Sequence, residues 1–73
     1  MGMIYLKNRT ESFYYKISKN EVTEIDCTDI EFGVAEIHTM PINEIRIKYE
    51  SNTVNITKKE FEKMMAYARS LNN

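Results

Sequence analysis

The hydrophobic rhythm of this chain changes once, at Thr57. Before it, apolar residues recur every second position, the spacing of a half-buried strand; after it they follow the 3.6-residue period of a helix. Residues 44–50 alternate most cleanly, with Ile45, Ile47 and Tyr49 inward and Glu44, Arg46, Lys48 and Glu50 outward. Residues 13–18 also alternate, with Phe13, Tyr15 and Ile17 on one side and Tyr14, Lys16 and Ser18 on the other. Three further strands are expected: residues 3–7, with Ile4 and Leu6 sharing a face; 21–28, with Ile25 and Cys27 sharing a face; and 53–56, with Val54 and Ile56 inward.

Residues 30–40 break the rule. Ile30, Phe32 and Val34 alternate, and the apolar set then moves to Ile37. A one-residue shift flips every side chain to the other face, so a bulge near residues 33–36 is expected, with a short helical turn as the alternative. Pro41 lacks a backbone N–H and marks a strand end or a sheet edge. With so few glycines, the turns at residues 8–12, 19–20 and 51–52 rely on Asn and Ser; Asn20 can supply a left-handed backbone.

Thr57-Lys58-Lys59-Glu60 has the form of a capping box, in which the Thr hydroxyl accepts one free amide and the Glu reaches back to another. The helix should run from about Lys58 to about Leu71. Phe61, Met64, Ala68 and Leu71 make its apolar stripe, with Met65 and Tyr67 at the margins, and Lys58, Lys59, Glu62, Lys63, Ala66 and Arg69 cover the other side. A helix with one apolar stripe must bury it on another element. The expected architecture is an α+β single domain over residues 1–73: a strongly bent antiparallel sheet or small open barrel of five or six strands, with one C-terminal amphipathic helix.

At 73 residues the core is small. A domain of this length buries only about 60–65% of the surface its unfolded chain exposes, and one core rarely supplies more than roughly 3–5 kcal/mol. Cys27 is the single cysteine, so no intrachain disulfide can add to that. A partner chain, above all a second copy, is the remaining source of buried area. No apolar run approaches the ~18–20 residues of a membrane span, and residues 1–7 lack the basic flank and long apolar stretch of a signal peptide. A cytoplasmic location is the expectation, and it makes the glycosylation patterns at Asn8 and Asn55 irrelevant.

Catalytic constellations are sparse. Cys27 and His38 are the only residues of their types, on different expected strands, and Cys27 reads as a buried small hydrophobe. His38 and Glu36 share a strand face but lack further ligands of metal-site spacing. The carboxylate pairs Glu24/Asp26 and Asp29/Glu31 read as solvated faces, and two glycines cannot build a phosphate loop. No catalytic residue, cofactor or metal is expected.

Charge is uneven around a net of −1. Glu21, Glu24, Asp26, Asp29, Glu31, Glu36 and Glu44 fall in a stretch without Lys or Arg, whereas Lys58, Lys59, Lys63 and Arg69 lie on the helix. Near-neutrality disfavours non-specific nucleic-acid binding. One constellation points the other way. Tyr5 with Lys7, Tyr14 with Lys16, and Arg46 with Lys48 fall on expected outward faces, and rings beside cations are what single-strand binders use. The order of strands followed by a C-terminal helix resembles, in topology alone, the sheet-plus-helix repeat of Pur-alpha-like single-strand-binding proteins.

The leading expectation is a non-enzymatic protein-interaction module that self-associates as a homodimer or binds another protein. Its contact would be a strand edge or the helix rim carrying Met65 and Tyr67. Single-stranded nucleic-acid binding through the aromatic and basic face is the alternative. The sequence names no partner or pathway, and leaves strand order and barrel closure open.

Overall fold

The computed structural model describes residues 2–42 and 52–72 of the chain. The strand expected over residues 44–50, with Arg46 and Lys48, therefore lies outside the described residues, as does Ser51 of the expected turn. The described strands are β1 (Ile4–Asn8), β2 (Phe13–Ile17), β3 (Glu21–Asp26), β4 (Glu36–Pro41) and β5 (Thr53–Asn55), followed by the helix α1 (Lys58–Leu71). They form one antiparallel sheet in the order β4-β3-β2-β1-β5. Among the described residues the sheet is open: β4 and β5 stand at opposite ends of this order and do not pair with each other.

Each connection in the β1–β4 meander has a local cause. Between β1 and β2, the Asn8 side-chain oxygen accepts the backbone N–H groups of Ser12 (2.8 Å) and Phe13 (3.0 Å), while Glu11 takes a left-handed conformation at φ 61°. Between β2 and β3, the Ser18 N–H donates to Glu21 O at 2.9 Å and the Ser18 hydroxyl oxygen accepts the Glu21 N–H at 3.1 Å. The Ser18 side chain closes this turn, so Asn20 does not adopt the left-handed backbone expected of it.

In place of the bulge expected near residues 33–36 there is a short helical turn, the alternative, set a few residues earlier as the 3-10 turn Ile30–Phe32. Gly33 ends it at φ 77°, its N–H donating to Ile30 O. A glycine adopts this left-handed angle without a Cβ penalty. The turn lifts Phe32 and Val34 away from the ladder, and the strand resumes at Glu36, which is why the apolar phase shifts at Ile37.

The register explains where the core sits. Lys7 pairs with Tyr14, Tyr14 with Ile25, and Ile25 with Ile37, so these four make one row on one face. This is the face that α1 covers. Tyr14, Ile25, Cys27, Ala35, Phe61 and Ala68 are buried there, with Tyr5, Ile37, Ile56, Met64, Met65 and Leu71 packed around them. The opposite face carries a second cluster of Leu6, Tyr15 and Val22 with Phe13 and Ile17. The sheet thus buries apolar side chains on both faces, not on one.

Thr57 caps α1 as its sequence implies, accepting the Glu60 N–H at 3.0 Å. The reciprocal half of the capping box is replaced. The Glu60 carboxylate accepts instead from Lys7 Nζ at 3.1 Å, which ties the first helical turn to β1. A charged donor binds a carboxylate more strongly than a neutral amide does. Ile56 N–H donates to Tyr5 O at 3.0 Å, so the segment entering the helix is also fastened to β1.

Candidate interaction site

The aromatic and basic residues do fall on one face, as the alternation implied, since Tyr5 pairs with Lys16 and Lys7 with Tyr14. That face is not outward. Tyr14 is 4% exposed beneath α1 and belongs to the main core. Burial pushes its phenol pKa upward, the nearby Glu11 carboxylate adding to the effect. The Tyr5 ring lies tilted against Phe61, centroids 5.6 Å apart. Lys7 donates to Glu11 at 2.7 Å and to Glu60 at 3.1 Å, and these two hydrogen bonds raise its pKa well above the usual lysine value. Of the described members, Lys16 lines a groove on one flank of α1 and the buried Tyr14 borders another on the opposite flank. Alternation tells which residues share a face, but not which face a helix will cover.

The helix rim is also divided. Met65 lines a groove of about 300 Å³ with Lys16, Phe61, Ala66 and Arg69 on one flank of α1. Tyr67, 49% exposed, lines another of about 270 Å³ with Tyr14, Lys63 and Met64 on the other flank. Two residues apart on a helix is roughly 200° of rotation. Met65 and Tyr67 therefore do not form one continuous contact patch.

Cys27 lies in the core under α1, whereas His38 projects from the opposite face of β4, so the two are not brought together. Burial pushes the Cys27 thiol up to about 11, with the Asp26 charge adding to it. A thiol reagent at pH 8 should therefore label native protein slowly and denatured protein rapidly; fast native labelling would show an open thiol. The unfolded thiol ionises near 8.5. As pH rises from there to about 11, the unfolded state loses the proton that the folded state keeps, and stability should decline. Among the described residues, no group of three or more His, Cys, Asp or Glu side chains is placed to hold a metal. No helix of the described residues is long and apolar enough to cross a membrane.

The edge strands of the sheet formed by the described residues offer a different kind of site. β5 has three residues, a length that leaves little to pair with. β4 has six and carries no Lys, with Pro41 only at its end. The Ile42 N–H donates to Asn20 O at 2.9 Å, extending the β3–β4 register by one pair. Antiparallel ladders alternate bonded and non-bonded pairs. Even-numbered residues of β4 therefore bond to β3, and the N–H and C=O groups of Ile37 and Thr39 point away from the sheet. On the face opposite α1, His38 Nε2 lies 3.0 Å from Glu36 Oε1, beside Glu24 and Asp26 of β3.

Next to this edge the 3-10 turn displays Phe32, 76% exposed, and Val34. Sequence reasoning placed both on a strand. The glycine two residues after Glu31 was the available sign of a capped turn. No protein-family model, curated protein or solved structure matches the chain at a significant level.

Proposed function

We propose that this domain is a non-enzymatic protein-interaction module that self-associates, with the edge of β4 that no other described strand covers as its docking surface. The outward backbone groups of Ile37 and Thr39 carry this reading. An edge strand with unspent donors and acceptors is a template for another strand, and main-chain bonds supply the affinity. Half-buried Ile37 and Met40 flank it, one on each face of the sheet. Added apolar cover at this edge would also supplement a core that is small for independent stability.

Thr39→Pro tests the reading. The Thr39 N–H faces away from β3, so proline removes an outward donor and adds bulk at the edge while the β3–β4 ladder keeps its bonds. Thr39→Ala is the control, since it keeps the outward N–H and loses only the side-chain methyl and the hydroxyl, 3.4 Å from that of Thr23. Light scattering at micromolar concentration should show the parent chain and Thr39→Ala above the monomer mass of 8.6 kDa, and Thr39→Pro at that mass. Circular dichroism should be unchanged in all three. A parent chain that stays monomeric and folded, or a proline variant that associates as the parent does, would remove the proposal.

A further inference from the structure

We infer that the occupant of the β4 edge is a second copy of this chain, paired about a two-fold axis through Ile37, with each Glu36 opposite the partner's His38. The inference rests on the edge reading above and specifies its partner and register. A two-fold antiparallel pair joins residues that lie on the same face. Side chains alternate between faces, so the axis must pass through a residue and not between two. Three positions lie at the middle of β4: Ile37, His38 and Thr39.

An axis through Thr39 sets Ile37 against the partner's Pro41, which has no N–H to donate. An axis through His38 sets imidazole against imidazole and leaves Glu36 opposite the partner's Met40. An axis through Ile37 sets Glu36 opposite the partner's His38 twice. These pairs fall at the non-bonded positions of the new ladder, where opposed side chains approach most closely. The charge pattern of the edge selects this register. Glu24 and Asp26 make the same face of β3 acidic, and His38 is the one basic group among the described residues of β3 and β4 on that face. The imidazole already matches a carboxylate of this strand, 3.0 Å from its own Glu36.

The other face agrees. Ile37 meets the partner's Ile37 at the axis, and Ile37 is the last member of the row Tyr14–Ile25–Ile37 that packs under α1. Joining the two copies makes this apolar row continuous across the interface. Pro41 falls beyond the bonded stretch, where its missing N–H costs nothing.

Cysteine pairing tests the register. Glu36→Cys and His38→Cys are made separately, with buried Cys27 left in place, and the folded proteins are oxidised singly and as a mixture. The mixture should yield a covalent dimer containing one chain of each variant, shifting the band from 8.6 kDa to twice that mass on a non-reducing gel. Neither variant alone should cross-link. Cross-linking of His38→Cys by itself would move the axis to His38 and overturn the register. No cross-link in a chain that light scattering shows to be dimeric would overturn the Ile37 axis and leave self-association standing. A chain that is monomeric throughout would remove both.

Discussion

Phe61→Ala should leave a large fraction of molecules unfolded at room temperature. The Phe61 ring is 1% exposed, lies against Tyr5, and is the largest fully buried side chain among the described residues. Truncating a buried phenylalanine costs about 3–5 kcal/mol, from lost transfer energy and the cavity left behind. A single core at this length supplies roughly the same amount. Lys63→Ala, at an exposed position of the same helix, should cost under about 0.5 kcal/mol. Urea midpoints measure the difference. Equal midpoints for the two variants would mean that α1 is not docked through Phe61.

A loss of similar size, about 3–5 kcal/mol, is expected for Tyr14→Ala. Tyr14 contributes to the core from the middle of the sheet, with Lys7 and Ile25 as its cross-strand neighbours. This changes the meaning of any nucleic-acid assay on the variant, because lost binding would follow from lost folding. Lys16→Ala is the clean probe: its side chain lines the groove beside Met65 and Arg69 and lies outside the buried core cluster. The expected results are a folded Lys16→Ala protein, a largely unfolded Tyr14→Ala protein, and no single-stranded DNA binding by the parent chain at low salt. Micromolar binding that falls steeply with salt and is weakened in Lys16→Ala would restore the nucleic-acid reading over the interaction module.

Much of the candidate site was legible only in part. Pro41 as an edge residue and the Glu36/His38 pair on one strand face follow from residue chemistry and a period of two. The outward direction of the Ile37 and Thr39 backbone does not, because it depends on which neighbour β4 bonds to and in which register. The exposure of Phe32 was hidden for a related reason. Three alternating apolar residues look like a strand until Gly33 turns the chain out of the ladder.

The local sequence by itself determined the described elements other than the 3-10 turn and the start of β4. Alternation marked β1, β2, β3 and β5 to within two residues at either end, and the Thr57 cap with the Phe61–Leu71 stripe set α1 at Lys58–Leu71. These signals rest on interactions a few residues apart, so they can be read along the chain. Tertiary structure alone decided that β5 pairs with β1, that β4 lies at the far edge, and that α1 covers Tyr14 and not Tyr15. Tyr14 and Tyr15 are chemically identical neighbours on opposite faces. What separates them is registration with β3, which places Ile25 beside one and Glu24 beside the other. The Tyr14 face thereby joins an unbroken apolar row from Tyr14 to Ile37, and a helix stripe buries the most area against such a row.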